Sequence, residues 1–229
     1  MFGMARKESA TVVRVLAEQL RRDIAFGVLA PDSRLKIDAL RRSYGGSAHS
    51  LREALTHLVN DGLVEASDQR GFRVTSATQA DLDDITRLRI EIEPLGLAWS
   101  IERGDVGWEG SVIAALHGYM RATADLADAP AERAMDWEEA GRAFHASLLA
   151  ACGSPRLARF QNSLYHQSRR FRLSALSEGG LDIERLVALR QAVVDHALAR
   201  RTEEAAKALT RAIQEDGATY SGEARDLSA

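Results

Sequence analysis

A pair of glycines, Gly45 and Gly46, separates two helix-like patterns in the first third of the chain and restricts how these can be joined. Glycine adopts left-handed backbone conformations without strain, so the pair favours a tight turn between two helices. Ser47 follows directly, and a serine hydroxyl at this place is a good acceptor for a backbone N–H of the first helical turn. The pattern predicts a tight turn and then a helix that begins just after Ser47.

The segments around this turn complete a recognisable order. Apolar residues at helical spacing predict one helix before the turn over about 12–24 and a short one at Ile37–Tyr44, and the helix after Ser47 ends at the turn signal Asn60–Gly62. Two short strands are then predicted, at Leu63–Ala66 and Gly71–Thr75. Three helices followed by a two-stranded ribbon is the order of a winged helix-turn-helix.

In such a domain the helix after Ser47 is the one that approaches DNA. Its N-terminal N–H groups favour phosphate, and its small polar residues allow close approach. Arg52 is expected to reach phosphate or a guanine edge, and Arg70 to contact DNA from the tip of the ribbon. The predicted DNA-binding residues are Arg41, Arg42, Ser47, His49, Ser50, Arg52 and Arg70. The alternative from spacing alone is a helical domain with a solvated charged face and a surface hairpin.

The remainder of the chain is predicted to be helical throughout. A long amphipathic helix follows residue 78, with Leu82, Ile85, Leu88, Ile92 and Leu95 expected to face inward. Pro94 lies within it and predicts a bend or a local break. Further helices are expected at about 109–127, 131–152, 154–176, 182–200 and 202–219. The fold class is therefore mainly α, with a winged helix-turn-helix over 1–77, a helical effector-binding and dimerisation bundle over 78–220, and a disordered tail over 221–229.

Composition narrows the class of protein. Residues 1–77 hold 12 Lys and Arg against 9 Asp and Glu, whereas the remainder holds 18 against 24, which indicates two domains with different partners. No apolar run approaches the roughly 18–20 residues of a membrane span, and the single cysteine fits a reducing cytoplasm. No metal-ligand cluster, phosphate-binding glycine loop or activated nucleophile stands out, so neither an enzyme nor a cofactor is expected.

The N-terminal third resembles the DNA-binding domain of GntR-type bacterial transcription regulators. The resemblance rests on Ile24 with Gly27, the Leu29–Pro31 turn, Gly45 with Ser47, and the runs "LREAL", "DGLV" and "RGFRV". One departure concerns specificity: relatives usually carry a base-reading Arg directly after the N-cap serine, and here that residue is Ala48. The loss of such a contact removes about 1–3 kcal/mol of discrimination between bases. Sequence preference, affinity or both are expected to differ from those of typical members.

The helical part resembles the FCD effector domain of the FadR-like branch, through "DLDDITRLRIEIEPLGLAWSI", "FHASLLAACGSPRL" and "VVDHALARRTEEAAKALTRAI". The resemblance implies a helical bundle, a homodimer and a small-molecule effector that changes the affinity for double-stranded operator DNA. Many members also bind a divalent metal through one Asp and three His. Here His145 remains, but Gly141, Arg190 and Ile213 stand at the other positions, so no metal is expected.

The same comparison leads to a hypothesis for the effector. Arg190, with His145 and Arg89, is expected to replace the metal as the anchor of an anion such as a carboxylate, because a guanidinium binds carboxylates in a bidentate manner. Arg190 facing solvent or pairing with Glu93 or another carboxylate is the alternative. Arg89 and Glu93 have the spacing of an ion pair. Tyr165 and Arg169 are further pocket candidates, with a solvated or dimer-facing position as their alternative.

The expected function is therefore that of a cytoplasmic transcription regulator whose operator affinity depends on an effector. The sequence does not distinguish a repressor from an activator. The second hypothesis is a ligand-binding or protein-interaction module with weakened sequence-specific DNA binding.

Overall fold

The computed structural model of the protein describes residues 2–67, 71–179 and 181–221. The chain forms two compact units, Met1–Thr78 and Gln79–Ala229. Arg70, predicted to contact DNA, lies outside the described residues, as does the predicted disordered tail apart from Ser221, which ends the last helix. Most described residues are helical, and the mainly α fold class predicted from the sequence is confirmed.

Within residues 2–67 and 71–78, the N-terminal unit has three helices and three short strands. They are α1 (Phe2–Ala25), β1 (Arg34–Leu35), α2 (Ile37–Tyr44), α3 (Ala48–Asn60), β2 (Val64–Ser67) and β3 (Gly71–Val74). The strands pair antiparallel in the order β1-β3-β2. The winged helix-turn-helix is confirmed, and β1 adds a third strand that was not predicted because two residues are too few to show an alternating pattern.

The core of this unit explains why the predicted helices pack as they do. Leu20 of α1 and Leu51, Leu55 and Leu58 of α3 are each 0% exposed. In α3 these leucines recur every three or four residues, so they share one face. Each leucine buried in this way contributes about 1.5–3 kcal/mol relative to an exposed one. The opposite face of α3 is consequently left to polar side chains.

Over residues 79–179 and 181–221, the C-terminal unit is a bundle of six helices. They are α4 (Gln79–Arg103), α5 (Val106–Asp128), α6 (Pro130–Leu148), α7 (Pro155–Ser177), α8 (Ile183–Leu198) and α9 (Thr202–Ser221). Side-chain caps fix several starts: Asp105 accepts from the Trp108 amide at 2.9 Å, and Asp182 from the Arg185 amide at 2.9 Å. No helix within the described ranges is long and apolar enough to cross a membrane.

The inner face of α4 differs from the prediction. Leu82 and Ile85 are buried as expected, but Leu88 and Leu95 are 43% and 45% exposed, so the inward orientation predicted for them is wrong. The inner face instead continues through Arg89 and Glu93. α4 also runs through Pro94 as one helix rather than breaking there.

Candidate functional sites

The turn between α2 and α3 depends on both glycines. Gly45 and Gly46 have φ angles of +75° and +76°, a region that favours glycine. A Cβ at Gly46 would meet Cδ1 of Leu16 at 3.0 Å, whereas one at Gly45 would meet nothing within 4 Å. The predicted tight turn is therefore present, and its second residue also needs the space that glycine leaves.

Ser47 is the N-cap of α3, as predicted. Its hydroxyl accepts a hydrogen bond from the Ser50 amide at 3.0 Å. Ser50 was predicted to contact DNA, but it is 8% exposed, and its hydroxyl lies 2.9 Å from that of Ser47. The two serines thus organise the start of the helix, because the cap satisfies an amide that would otherwise lack an intrahelical partner.

The exposed side of this region carries the remaining predicted DNA contacts. Arg41 and Arg42 are exposed in the last turn of α2, and Arg52 is exposed on α3. The side chain of His49 is 78% exposed, with Nε2 3.6 Å from a carboxylate oxygen of Glu53. These four side chains are all accessible, and exposed arginines and a capped helix start are groups that contact phosphates.

An ion pair and a hydrogen bond fix α2 and α3 against α1. Arg21 of α1 donates to Asp61, the C-cap residue of α3, at 2.6 Å. The Tyr44 hydroxyl at the end of α2 donates to Asp23 of α1. The C-terminal ends of α2 and α3 are therefore both tied to α1.

The sheet adds basic residues that were not predicted. Arg34 of β1 is the register partner of Arg73 of β3, and both are exposed. Side chains directly opposite in an antiparallel pair lie on the same face, where like charges are unfavourable unless an anion or a carboxylate lies nearby. Glu65 is the partner of Arg73 on its other side. Because β1 has only two residues, no alternating pattern marks it in the sequence.

In the helical unit, Arg89, Glu93 and His145 form a buried triad. Arg89 donates to one oxygen of Glu93 at 2.6 Å, and Nδ1 of His145 lies 2.7 Å from the other. Burial disfavours the charge of Glu93, but Arg89 and His145 outweigh it and lower its pKa to about 2. Burial lowers the pKa of His145 despite Glu93, so a neutral imidazole donates from Nδ1.

A second buried cluster centres on Glu138. Arg169 donates to it at 2.9 Å, and Arg172 binds both of its oxygens. Arg172 also stacks on Tyr165, with its guanidinium carbon 3.8 Å from the ring centroid, while that of Arg89 is 5.4 Å from the same centroid. Tyr165 therefore joins the two clusters. Arg172 and Glu138 were missed, although the spacing of Arg172 from Arg169 places both on one helix face.

Arg190 pairs with Asp216, so the alternative in which it meets another carboxylate is the one observed. One terminal nitrogen donates to Asp216 at 2.5 Å and the other to the Leu186 carbonyl at 3.3 Å. Both residues are buried. Asp216 was also missed, although it lies three residues after the inward Ile213, the spacing of one helix face.

The residues present do not fit the four-ligand metal site that the resemblance implied. A Cβ at Gly141 would lie 2.3 Å from the Tyr165 hydroxyl, so that hydroxyl takes the space of the missing aspartate side chain. His145 is committed to Glu93, and a guanidinium stands at position 190. Within the described ranges, no group of three or more His, Cys, Asp and Glu side chains has the arrangement to hold a metal ion.

Comparison with known families gives two matches. The family described as "Bacterial regulatory proteins, gntR family" matches residues 13–74, and the FCD domain matches residues 84–215.

Two relatives resemble a large part of the chain. The HTH-type transcriptional regulator BphR of Paraburkholderia xenovorans (strain LB400) is 36% identical over 162 residues, 71% of this chain and 66% of that protein. The HTH-type transcriptional repressor GlaR of Escherichia coli (strain K12) is 32% identical over 167 residues, 73% of this chain and 75% of that protein.

Solved structures show the same fold. E. coli McbR/YncC has a TM-score of 0.74 at 20% identity and covers 93% of this chain and 98% of its own. A regulator described as a putative GntR from Rhodococcus sp. RHA1 has a TM-score of 0.67 at 23% identity, again over 93% and 98%.

Proposed function

Because the chain belongs to the gntR family of bacterial regulatory proteins and carries an FCD domain, we propose that it is an effector-controlled regulator that reads operator DNA with α3. Residues 1–77 are the DNA-binding unit in this proposal, and residues 78–220 bind the effector and dimerise. Reading chromosomal DNA in a bacterium requires a cytoplasmic protein. The observation that carries the DNA part is the exposed, N-capped start of α3 with Arg52 beside it.

The basic residues have separate tasks in this proposal. Arg41 and Arg42 contact backbone phosphates from α2, and the N-terminal turn of α3 contacts a phosphate through its free N–H groups. Arg52 and His49 are exposed on the side of α3 that faces away from the core, so they reach base edges. Ser47 and Ser50 support this surface by fixing the helix start. Arg70, which lies between β2 and β3 in the sequence, is a further phosphate contact in this proposal.

Ala48 restricts what α3 can read. It is half-buried at the first helical position, and its methyl group offers only an apolar contact, for example with a thymine methyl. Base discrimination then rests on fewer hydrogen bonds than an arginine at this position would allow.

The proposed effector is an anion held in the helical unit. Arg190 is its anchor, because its guanidinium occupies the position where relatives have a metal ligand. One nitrogen of this guanidinium donates a hydrogen bond to Asp216. Arg89, Glu93 and His145 form the neighbouring wall, and Tyr165 with Arg169 continues it. A carboxylate satisfies such a site, because guanidinium–carboxylate hydrogen bonds are short and charge-assisted.

Regulation follows from a dimer in this proposal. Two copies of α3 enter successive major grooves of a near-palindromic operator, and the effector favours one of two states of the dimer. The exposed Leu88 and Leu95 of α4 support self-association because they give this helix an apolar face outside the core.

Fluorescence anisotropy with a DNA duplex from the region upstream of the gene that encodes this chain tests this function. We expect tight binding to that duplex, a steep loss of affinity with salt, and much weaker binding to a scrambled duplex of the same composition. Equal, salt-sensitive binding to both duplexes would instead favour a ligand-binding or protein-interaction module with weakened sequence-specific DNA binding, which the alanine at position 48 makes the second candidate.

A further inference from the structure

A carboxylate lies on the exposed side of α3, the side that approaches DNA in the proposed function. The side chain of Glu53 is 48% exposed, whereas Ala54 and Leu55, which follow it, are both 0% exposed. Glu53 lies four residues after His49, so the two share one face of the helix. DNA is a polyanion, and a carboxylate on this face therefore weakens binding unless it meets a hydrogen-bond donor.

The described neighbours of Glu53 on α3 do not supply that donor. Nε2 of His49 lies 3.6 Å from one of its carboxylate oxygens, which is longer than a hydrogen bond. The Thr56 hydroxyl, three residues on, donates to the Arg52 carbonyl at 2.8 Å. Arg52 itself is adjacent in the sequence, so its side chain points to a different side of the helix. The Glu53 carboxylate thus remains available to a donor on a partner.

The surface around Glu53 carries both signs of charge. It lines a cleft of about 770 Å³ between α1 and α3, and the charged side chains described there include three arginines and three carboxylates: Arg14, Arg21, Arg52, Glu18, Glu53 and Asp61. Arg21 already binds Glu18 at 2.5 Å and Asp61 at 2.6 Å. Phosphate oxygens only accept, whereas base edges in the major groove present donors and acceptors side by side. A surface of mixed charge therefore matches base edges better than phosphates.

The chemistry of the major groove restricts which base Glu53 can meet. An ionised carboxylate only accepts, so it needs an amino group, and guanine and thymine present acceptors in this groove instead. Adenine presents its amino group beside N7, an acceptor that repels a carboxylate. Cytosine presents its N4 amino group with no acceptor of the same base beside it. Cytosine is therefore the base that a glutamate fits best.

We propose that Glu53 determines part of the operator sequence by accepting a hydrogen bond from the N4 amino group of a cytosine. The contact supplies discrimination at one base pair of each half-site, on a helix whose first residue, Ala48, offers only a methyl group. This inference rests on the proposed function, since it specifies how α3 reads the operator.

Binding-site selection from a randomised duplex library, with the full-length protein, tests the assignment. We expect the wild type to select cytosine at one position of each half-site at least about tenfold over the other bases. Glu53→Ala should remove the preference at this position and leave the others. Glu53→Gln should change the preference to adenine, because a glutamine amide pairs with both N6 and N7 of adenine. An unchanged site in either variant would overturn the proposal.

Glu18→Gln is the matched control. It removes the same charge from the lining of the same cleft, but Glu18 lies on α1 and binds Arg21. We expect it to raise the affinity for every duplex alike and to leave the selected site unchanged, because it reduces only the repulsion between protein and DNA. A change of site in Glu18→Gln like that in Glu53→Gln would show that charge alone alters selection, and would overturn the base contact. Thermal unfolding and circular dichroism establish that all three variants fold.

Removal of the amino group from the DNA locates the contact. In the selected duplex the cytosine is replaced by 2-pyrimidinone, which lacks only the amino group. We expect the wild type to bind this duplex about tenfold more weakly than the unmodified one, and Glu53→Ala to bind both equally. An equal loss for wild type and Glu53→Ala would overturn the proposal, because the amino group would then act independently of Glu53.

The selected site also distinguishes a failure of this inference from a failure of the proposed function. If the wild type selects a site without this cytosine, or one that Glu53→Ala shares, the inference fails and sequence-specific DNA binding stands. If the wild type selects no site at all, the regulator function fails and the inference fails with it.

Discussion

His145 links the stability of the helical unit to pH. Burial lowers its pKa below the ordinary value of 6.5, although Glu93 opposes the shift. Below pH 6.5 the unfolded chain therefore binds a proton that the folded chain resists. The stability contributed by the neutral imidazole is complete above that pH and is lost as the pH falls toward the lower pKa of the folded state. His145→Asn keeps an N–H near Nδ1 as a donor to Glu93 but does not titrate, so we expect a smaller loss of stability on acidification.

Urea unfolding between about pH 7 and about pH 5, followed by circular dichroism, measures this effect. The quantity to compare is the change in the free energy of unfolding of wild type and variant over that range. His117→Asn is the control, because His117 is exposed on α5 of the same unit. Identical pH slopes for wild type and His145→Asn would contradict the prediction.

Alanine substitutions at the two glycines before α3 distinguish the effect of backbone strain from that of steric contact. Gly45→Ala places a side chain in a left-handed conformation with nothing within 4 Å, so we expect a loss of about 1–2 kcal/mol in the free energy of unfolding. Gly46→Ala has the same strain and also brings its Cβ to 3.0 Å from Cδ1 of Leu16. The larger loss is therefore expected at Gly46. Thermal and urea unfolding of both variants provide the measurement, and an equal or smaller loss at Gly46 would show that Leu16 moves away without cost.

Among the elements, α3 is the one whose start and buried face were predictable from local sequence. A capping serine, a preceding glycine pair and leucines at helical spacing act over a few residues, so they appear directly in the pattern. The same reasoning failed at Ser50, because a small polar residue gives no indication of which side it faces.

The inner face of α4 was not predictable in this way. Apolar periodicity placed Leu88 and Leu95 inward, yet the inner positions are held by Arg89 and Glu93. These charges are stable there because they pair with each other and because His145 of α6 and Tyr165 of α7 lie next to them in the fold. Such partners come from distant parts of the chain, so a single helix pattern does not reveal them.

α3 also provides a direct test of DNA reading. Arg52→Ala removes one cation from the exposed face of α3. If Arg52 contacts a phosphate, we expect weaker operator binding and a slope of log affinity against log salt concentration that is smaller by about one. If Arg52 contacts a base, we expect a relaxed preference at one base pair. Ala48→Arg adds a side chain at the first helical position, and we expect it to change which base pair is preferred there by about 1–3 kcal/mol.

Binding-site selection from a randomised duplex library, followed by anisotropy at several salt concentrations, measures both effects. Arg133→Ala is the control, since Arg133 is an exposed arginine on α6 of the other unit. Unchanged site preference in Ala48→Arg would indicate that this position does not face DNA.

α6 and α7 are joined by Glu138, which compensates two arginines. Glu138→Gln leaves Arg169 and Arg172 buried without their carboxylate, and we expect a loss of about 3–5 kcal/mol in the free energy of unfolding. Glu139→Gln, which affects an exposed pair with Arg142 on the same helix, should cost less than about 1 kcal/mol. Denaturant unfolding of the two variants compares them, and similar losses would mean that Arg169 and Arg172 find other partners.

At the scale of the whole molecule, the helical unit combines a polar interior with an apolar patch outside. Buried ion pairs contribute little net stability, because desolvation offsets most of their attraction, but they specify which helix faces meet. The apolar residues displaced from the inner face of α4 therefore lie at the surface. Leu88 and Leu95 are there, with Ile92 half-buried between them, at a spacing that forms one stripe.

This stripe leads to the prediction about assembly. If two copies associate through it, Leu88→Glu combined with Leu95→Glu puts four carboxylates into an apolar contact, and we expect the dimer dissociation constant to rise at least about 100-fold. Operator affinity should fall with it, because a monomer engages one half-site and loses the advantage of linked binding. Analytical ultracentrifugation measures the association, and circular dichroism confirms that the helices remain. Val106→Glu is the control, because Val106 is an apolar residue that is 81% exposed at the start of α5. A dimer that persists in the double variant would place the interface on another face of the molecule.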